Sequence, residues 1–198
     1  MNNEYDVIII GAGAAGMMSA IEAGKRGRKV LLVDHYKKIG EKIRISGGGR
    51  CNFTNINTNP SKFLSQNPKF VRSALSQYTQ NDFINLINKY DIKFHEKKLG
   101  QLFCDHSAQQ IVEMLLKECE LANVTILKEF VIKEIDKENN QYNVSTETDK
   151  YSSQSLIVAT GGLSVPKIGA TSFGYEIAKK FDHDIIETIP ALVPLTFN

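Results

Sequence analysis

Three glycines near the start of the chain are spaced for binding a diphosphate. Gly11, Gly13 and Gly16 form a G-x-G-x-x-G motif. In such a motif the first glycine allows a sharp turn, the second lets the diphosphate approach the backbone, and the third lets a helix pack closely on a strand. The helix that follows would offer free N–H groups and a partial positive charge to the anion. The motif therefore predicts a nucleotide-binding turn, with Ala14 and Ala15 at its edge.

A carboxylate stands where this kind of turn needs one to hold a ribose. Asp34 follows the apolar run 29–33, close to the roughly 20-residue spacing expected between the first glycine and an acidic residue that accepts a ribose hydroxyl bond. His35 follows it directly. Proteins that bind NAD, NADP or FAD share this combination, so these residues alone do not distinguish the three cofactors.

A second glycine-rich stretch, Ser46–Asn52, helps to distinguish them. Gly47, Gly48 and Gly49 would present backbone N–H groups around a concave space, and Arg50 adds a planar cation. An ordinary NAD-binding domain has no use for a second cradle at this point. A flexible surface loop is the alternative interpretation of the same residue types.

The elements that must position these residues are predicted by hydrophobic patterning. Residues 5–10 and 29–33 are short, β-branched apolar runs typical of buried parallel strands, and residues 14–26 have a helical apolar face. Residues 124–127 should form the third parallel strand. Strand, turn, helix and second strand thus follow one another in the order of a dinucleotide-binding fold.

The second half of the chain alternates between short strands and turns. Residues 130–135, 142–146 and 150–153 predict an antiparallel three-stranded β-meander, and residues 156–159 predict a buried strand that returns to the parallel sheet. The tripeptide at 160–162 follows that strand, where glycine would let the backbone run close to a cofactor.

An insertion that packs on the core is predicted between the second and third parallel strands. Its expected elements are helices at 68–78 and 81–90, a hairpin of strands 92–94 and 101–103, and a helix that starts at Ser107. Phe70 should face inward from the first helix, and Ser107 with Gln110 should form a capping box.

Composition restricts the class of protein. Hydrophobic residues make up 42% and charged residues 23% of the 198 residues, as is ordinary for a globular domain. The net charge of +2 is too small to argue for a nucleic acid or a membrane. No apolar run approaches the ~18–20 residues of a membrane span. We therefore expect no nucleic-acid and no membrane partner.

Cysteine usage indicates a reducing compartment. Cys51, Cys104 and Cys119 form no C-x-x-C pair and no even set, which suits the cytoplasm. The N-terminus does not have the pattern of a secretory signal. Cys104-Asp105-His106 lacks the spacing of zinc ligands, so no metal is expected there.

Together the motifs resemble those of a known bacterial family, the BaiN/YhiN-type flavoproteins. The resemblance is carried by Gly11–Gly16, Lys42, residues 45–52, Thr54-Asn55, residues 100–108 and residues 159–162. Members are FAD-dependent oxidoreductases and distant relatives of the glutathione-reductase flavoproteins. The chain departs from the usual pattern of the family at Asp34-His35, Arg44 and Cys104.

The resemblance implies the fold class, the cofactor and the kind of partner. The fold would be α/β, a Rossmann-like FAD-binding domain with a central parallel sheet and an antiparallel three-stranded β-meander that passes the adenine near Val131. The cofactor would be FAD, the substrate a small molecule, and NAD(P)H a candidate electron donor. Residues 1–194 would form the FAD-binding domain, and residues 195–198 would begin a truncated substrate domain. The candidate cofactor-binding residues are Gly11, Gly13, Ala14, Ala15, Gly16, Asp34, His35, Lys42, Ser46, Gly47, Gly48, Gly49, Arg50, Cys51, Asn52, Val131, Thr160, Gly161 and Gly162.

Two alternative functions remain open at this point. An NAD-dependent Rossmann dehydrogenase would use the same first motif, and a non-catalytic nucleotide-binding fragment would require no further residues. A tRNA-modifying flavoprotein is a weaker alternative, because the chain has no dense basic stripe with interleaved aromatic residues. No acid–base pair identifies catalytic residues. Cys51 is either a low-pKa thiolate beside Arg50 or a small side chain that shapes the flavin pocket. A local C-x-x-x-x-C redox disulfide is excluded, because positions 46 and 56 hold Ser46 and Ile56.

Overall fold

A six-stranded mixed sheet is the centre of the computed structural model, which describes residues 3–164 and 169–189. The strands are β1 (Glu4–Ile10), β2 (Val30–Val33), β3 (Asn52–Asn55), β4 (Phe94–Glu96), β5 (Gln101–Cys104), β6 (Thr125–Leu127), β7 (Glu134–Glu138), β8 (Gln141–Ser145) and β9 (Lys150–Val158). The helices are α1 (Ala14–Lys25), α2 (Glu41–Ile45), α3 (Arg72–Gln77), α4 (Gln80–Lys89), α5 (Gln109–Leu121) and α6 (Phe173–Lys180), with 3-10 turns at Ser46–Gly49 and Pro60–Lys62.

The central sheet has the strand order β6-β2-β1-β9-β8-β7. Its first four strands are parallel, and β8 and β7 continue it in antiparallel pairing. Ile8, Ile9, Leu31 and Leu32 are fully buried, because β1 and β2 are covered on both faces. The predicted α/β fold class is therefore confirmed.

Strand β9 differs from the sequence-based prediction in one respect. Two separate strands were expected at 150–153 and 156–159, but they form one continuous strand. Its first part pairs antiparallel with β8, and Ser152 to Val158 pair parallel with β1. The polar stretch between them stays extended because the pairing with β1 runs through it and overlaps the pairing with β8 at Ser152 and Ser153. The first meander strand also begins later than expected, at Glu134, because the Phe130 N–H is bonded to the Asp34 carbonyl.

A separate three-stranded antiparallel sheet, β3-β5-β4, lies in the insertion. The expected hairpin of β4 and β5 is present, and β3 adds to it through pairs such as Asn52 with Phe103. This pairing fixes the chain directly after the second glycine-rich stretch.

The helices α1, α4 and α5 are joined by a buried carboxylate. The side chain of Glu118 on α5 is 1% exposed and lies 2.8 Å from the Lys25 amine and 2.6 Å from the Lys89 amine. Tyr90 donates a hydrogen bond to it over 2.8 Å. Burial alone would raise the pKa of Glu118, but these three donors outweigh it and lower the pKa to about 2.

Two predictions about the insertion helices are wrong. Helix α3 is shorter than residues 68–78 and has no buried residue, and Phe70 is 78% exposed rather than inward. Helix α5 begins at Gln109, with Ala108 as its N-cap, so the Ser107–Gln110 capping box is not formed. Ser107 instead accepts a hydrogen bond from the Gln109 N–H, two residues on. The predicted boundary at 194–195 lies outside the described residues.

Candidate flavin-binding site

A cavity of about 850 Å³ opens at the carboxyl ends of β1, β2 and β9. This is the edge of a parallel sheet at which nucleotides bind in doubly wound folds. Its volume lies within the range of roughly 300–1,000 Å³ that is typical of cofactor and ligand sites. The candidate residues that line it are Gly11, Gly13, Ala14, Ala15, Asp34, His35, Lys42, Ser46, Cys51, Asn52, Thr160, Gly161 and Gly162.

The glycines of the first motif have different surroundings. A Cβ on Gly16 would lie 1.8 Å from the Gly11 carbonyl oxygen, so only glycine lets α1 pack this close to the turn. Gly11 has a φ of +104°, and a Cβ there would lie 2.5 Å from the Ala159 carbonyl oxygen. Gly13 has a φ of −84°, and a Cβ on it would meet nothing within 4 Å. The second glycine therefore borders open space, as a diphosphate site requires.

The N-terminus of α1 faces that space. Gly13 is its N-cap, no side chain of the described residues caps it, and its first turn holds no acidic residue. The first helical bond runs from the Met17 N–H to the Gly13 carbonyl, which leaves the earlier N–H groups of the turn for a ligand. Ala14 and Ala15 are exposed beside them. These donors suit the negative charge of a diphosphate.

Asp34 fastens the first motif to the end of β2. One carboxylate oxygen accepts a 2.7 Å hydrogen bond from the Ala12 N–H, and the other accepts a 2.8 Å bond from the Tyr36 N–H. The His35 ring nitrogen lies 3.6 Å from the same carboxylate. Asp34 therefore orders the diphosphate turn directly, and its oxygens retain the capacity to accept a further bond from a ribose hydroxyl.

The second glycine-rich stretch forms a tight loop with left-handed backbone. Gly47, Gly48 and Gly49 have φ values of +58°, +67° and +86°. A Cβ on Gly47 would lie 2.7 Å from the Phe103 ring, whereas one on Gly48 would meet nothing. The Gly49 carbonyl accepts a hydrogen bond from the Ala108 N–H, which ties the loop to the start of α5.

The structure brings only part of this loop to the cavity. Ser46, Cys51 and Asn52 line the cavity, whereas Gly47, Gly48, Gly49 and Arg50 are not among its lining residues. Gly16 is likewise a packing residue of α1 and does not line the cavity.

The Cys51 thiol is not set up as a thiolate. It is 6% exposed, and burial raises its pKa above the ordinary value, although a hydrogen bond with Ser46 lowers it in part. Burial also raises the pKa of Cys104 to about 11, with the nearby Cys51 adding to the shift. The structure therefore favours the interpretation of Cys51 as a small side chain of the pocket wall.

Helix α2 contributes charged groups to the same cavity. Lys42 and Glu41 line it, and the Arg44 side chain lies 3.2 Å from a Glu41 carboxylate oxygen. Arg44 also donates two hydrogen bonds to the Ile39 carbonyl, which orders the turn before the helix. Within the described part of the chain, that Glu41 oxygen has no partner in hydrogen-bond geometry.

A smaller cavity of about 330 Å³ continues past Asp34 and His35. Val131, which is 58% exposed, lines it together with Phe130 and Phe173. Thr160 borders both cavities, and the segment after it makes a turn at Gly161, whose φ is +75°. Val131 and Thr160 thus line the same smaller cavity, which shares Asp34, His35 and Thr160 with the larger one.

Several lining residues were not singled out as site residues from the sequence. They are the apolar residues Met18, Ile43, Phe53, Phe83, Ile111 and Leu115, together with Tyr175. The signal for four of them was present, because Met18, Phe83, Ile111 and Leu115 lie on the apolar stripes predicted for α1, α4 and α5. A stripe predicts burial, however, and does not distinguish a core contact from a pocket wall.

Solved structures share this fold at low sequence identity. The 3-ketosteroid-Δ4-(5α)-dehydrogenase of Rhodococcus jostii matches 80% of this chain and 46% of its own with a TM-score of 0.57 and 12% identity. Thermovibrio ammonificans THI4 matches 92% of this chain and 65% of its own with a TM-score of 0.55 and 14% identity. Halogenase PltM, solved with phloroglucinol and FAD, matches 90% of this chain and 36% of its own with a TM-score of 0.50 and 17% identity.

Curated relatives match nearly the whole chain. The Escherichia coli protein named ribosomal RNA dihydrouridine synthase is 51% identical over 98% of this chain and 48% of its own length. The Haemophilus influenzae protein of the same name is 47% identical over 100% of this chain and 50% of its own length. A 3-dehydro-bile acid Δ(4,6)-reductase of Clostridium scindens is 26% identical over 94% of this chain and 46% of its own length. The chain thus spans about half the length of these relatives.

These relatives correct one expectation. The absence of a nucleic-acid partner was predicted from the net charge of +2, but two relatives near 50% identity are named for an activity on ribosomal RNA. A net charge averages over the whole chain and does not report where the charged residues lie. As for membranes, none of the helices in residues 3–164 and 169–189 is long and apolar enough to cross one.

The family model described as HI0933-like protein Rossmann domain matches residues 5–190. This range runs from the second residue of β1 through α6 and includes every candidate site residue. The chain therefore belongs to the HI0933-like Rossmann-domain family, the flavoproteins of the BaiN/YhiN type that its motifs resemble.

Proposed function

We propose that the protein is an FAD-dependent oxidoreductase that reduces uridine in ribosomal RNA to dihydrouridine. The observation that carries the flavin part is the continuous cavity between the uncapped N-terminus of α1 and the second glycine-rich loop. The RNA part follows from the two relatives of 51% and 47% identity that bear that activity in their names. As the chain covers half of their length, the activity is proposed for the protein as its own gene encodes it.

The residues present fit an extended FAD. Its diphosphate would lie over Gly13, Ala14 and Ala15, where a Cβ on Gly13 would otherwise project. The adenosine would extend past Asp34 toward Val131 in the smaller cavity. The ring end would then lie between the Ser46–Asn52 loop and the 160–162 segment.

Bound FAD, when reduced by a donor such as NAD(P)H, supplies a hydride. Dihydrouridine differs from uridine by two hydrogens across the C5–C6 double bond, so the reaction adds one hydride and one proton. The protein must therefore position the uracil ring over the cavity mouth and exclude water from it. The apolar walls formed by Phe53, Phe83 and Leu115 serve the exclusion of water.

The bile-acid relative supports this kind of chemistry. A 3-dehydro-bile acid Δ(4,6) substrate has carbon–carbon double bonds conjugated with a ketone, and the uracil C5–C6 bond is conjugated with the C4 carbonyl. The two substrates have little else in common. A shared cofactor domain that delivers hydride to a double bond conjugated with a carbonyl accounts for both names.

The two alternatives have less support. An NAD-only dehydrogenase would not need the second glycine-rich loop, and it would have a crossover helix where this chain has the antiparallel strands β7 and β8. A non-catalytic nucleotide-binding fragment is consistent with the half-length match, but it leaves the apolar cavity walls without a role. A ribosomal RNA substrate would also place the protein in the cytoplasm, as the three unpaired cysteines indicate.

The test is complementation in Escherichia coli. An Escherichia coli strain that lacks the 51% identical relative would express this protein. The ribosomal RNA of that strain would be digested to nucleosides and examined by mass spectrometry. We expect dihydrouridine to return with the wild-type protein and to stay absent with Gly13→Ala. The purified protein should release FAD on heating. Recovery of FAD without restored dihydrouridine would refute the RNA substrate, and recovery of NAD alone would refute the flavin.

A further inference from the structure

The charges of the chain are unevenly distributed. Residues 42–81 contain six of the 24 basic residues and none of the 22 acidic residues. The rest of the chain therefore has a net negative charge, which the overall value of +2 conceals. Three of the six, Lys62, Lys69 and Arg72, lie in the loop and short helix between β3 and α4. Within the described residues, none of these three is in a salt bridge.

Apolar side chains are exposed in the same part of the chain. The side chains of Leu64 and Phe70 are 94% and 78% exposed, and Phe63 is 43% exposed. Monomeric proteins rarely leave such large apolar side chains together at the surface unless they bind something. We name the surface formed by Phe63, Leu64, Phe70, Lys62, Lys69 and Arg72 the basic–aromatic surface.

A groove of about 360 Å³ lies within this surface. Of the six surface residues, Phe63, Leu64 and Arg72 line it, and Lys62, Lys69 and Phe70 do not. The segment is held mainly by local bonds, such as the Asn59 side chain accepting from the Ser61 N–H. The groove thus combines an apolar floor with a planar cation.

The basic–aromatic surface is connected to the flavin cavity at both ends. The chain enters it from β3, where Asn52 and Phe53 line the cavity, and leaves it into α4, where Phe83 lines the cavity. The Gln80 side chain donates a 3.1 Å hydrogen bond to the Ile56 carbonyl and so joins the two ends. The segment between β3 and α4 therefore bears the basic–aromatic surface, and its two ends form part of the cavity wall.

We propose that the basic–aromatic surface binds single-stranded ribosomal RNA next to the uridine that is reduced. Lys62, Lys69 and Arg72 contact phosphates, and bases stack on Phe63 and Phe70, a combination typical of single-strand binding. The absence of carboxylates from residues 42–81 removes the repulsion that a phosphate backbone would otherwise meet. This inference rests on the proposed function, since it assigns the surface that brings the RNA to that site.

The competing occupant is protein, either a second copy or the part of the relatives that this chain does not match. A protein partner would explain exposed apolar side chains, but it would not require three cations in a stretch of sequence without a carboxylate. Arginine and aromatic residues are common at protein interfaces, but lysine is depleted there, and this surface has two lysines, Lys62 and Lys69. The charge pattern therefore favours RNA.

The experiment measures RNA affinity with the protein as its own gene encodes it. The probes are a labelled oligouridylate of about a dozen nucleotides and protein-free ribosomal RNA from the Escherichia coli strain without the relative. The test variant is the triple change Lys62→Gln, Lys69→Gln and Arg72→Gln. Its matched control is Lys117→Gln, Lys137→Gln and Lys180→Gln, which removes the same charge from exposed positions elsewhere.

We expect the test variant to lose at least about tenfold in RNA affinity near physiological salt. The magnitude of the slope of log affinity against log salt should fall by about 2, the value for three phosphate contacts on a single strand. The control should change the affinity by no more than about twofold and should keep the salt slope of the wild type. A second triple variant, Lys62→Arg, Lys69→Arg and Arg72→Lys, keeps the three positive charges and should bind RNA as the wild type does. Phe70→Ala should weaken binding roughly 5- to 150-fold, the range for losing one stacked base.

The outcomes separate this inference from the proposed function. If the wild type makes dihydrouridine and the test variant binds and modifies RNA normally, the surface assignment is overturned while the function stands. If RNA binding depends on this surface but no dihydrouridine forms, the proposed function fails and the surface assignment stands. The test variant could instead lose flavin, change its oligomeric state or aggregate, while its folded fraction keeps its RNA affinity. That result would show that the surface packs against protein and would overturn the inference.

Discussion

Replacing Gly13 by alanine separates cofactor binding from folding. Gly13 has a φ of −84°, which alanine adopts without strain, and a Cβ there would meet nothing within 4 Å. As an N-cap, alanine is worse than glycine by up to about 1 kcal/mol. Alanine also restricts the unfolded chain, which stabilises the protein by about 0.4–1 kcal/mol. The two effects are similar in size and opposite in sign, so the free energy of unfolding of Gly13→Ala should stay within about 1 kcal/mol of the wild type.

The effect on FAD should be much larger. The new methyl group would occupy the space over the N-terminus of α1, where the diphosphate is proposed to lie. A hydrogen bond to a charged group contributes about 1.5–3 kcal/mol. Displacing the diphosphate from even one backbone N–H should therefore weaken FAD binding about 10- to 150-fold.

The assay combines FAD titration of the flavin-free protein with urea unfolding in the absence of FAD. The matched control is Gly16→Ala, whose Cβ would lie 1.8 Å from the Gly11 carbonyl oxygen. Because backbone must move there, we expect a destabilisation at or above the upper end of the roughly 1–3 kcal/mol range for overpacking. If Gly13→Ala binds FAD as the wild type does, the placement of the diphosphate over α1 is refuted.

Three further predictions concern single side chains. Asp34→Ala should weaken FAD binding roughly 10- to 100-fold, since it removes the acceptor of the Ala12 N–H and the proposed ribose contact; unaltered affinity in a titration would show that other groups bind the ribose. Cys51→Ser should keep FAD and most of the rate of flavin reduction measured by stopped flow, because burial raises the pKa of the thiol; a fall above about a hundredfold, roughly 2.7 kcal/mol of barrier, would make the thiol a participant. Glu118 has a pKa lowered to about 2 from 4.5, so its contribution of about 3 kcal/mol is present above pH 4.5 and is lost as the pH falls toward 2. In acid unfolding followed by circular dichroism, Glu118→Gln should be less stable at pH 7 and should show a flatter loss in that window; identical acid profiles would contradict this.

The nucleotide-binding half of the fold was predictable because its signals are local. A buried strand, a glycine turn and an amphipathic helix each depend on a few neighbouring residues, and β1, α1 and β2 form within one residue of the expected bounds. The sequence also indicated why Gly16 must be glycine, since close packing of α1 on the strand is the reason that the motif has a third glycine.

The predictions that failed depend on partners that are distant in sequence. The apolar period around Phe70 predicted an inward face, but no element of the described residues covers α3, so Phe70 is exposed. The break expected within β9 does not occur, because β8 and β1 pair with its two edges. Neither partner can be read from the residues of the segment itself.

The nucleic-acid prediction failed for a different reason. The signal was present in the sequence, as residues 42–81 hold six basic residues and no acidic one. The prediction used the net charge of +2 and the lack of a dense basic stripe with interleaved aromatic residues, and it did not weigh the absence of carboxylates from residues 42–81. A stretch of this length without a carboxylate, in a chain that has 22 of them, indicates an anionic partner more directly than the net charge does.

The two kinds of relative place different demands on one cofactor domain. A bile acid is a small apolar molecule that an enclosed pocket can surround, whereas ribosomal RNA is a large polyanion that must meet an open cationic surface. Both relatives match this chain over more than nine-tenths of its length and about half of their own. The matched half is therefore the part that the two relatives have in common, and in this chain it contains the glycine turn and the cavity behind it. On the proposed function, selection of RNA has to come from features that a bile-acid reductase does not need, and the basic–aromatic surface between β3 and α4 is such a feature within this chain.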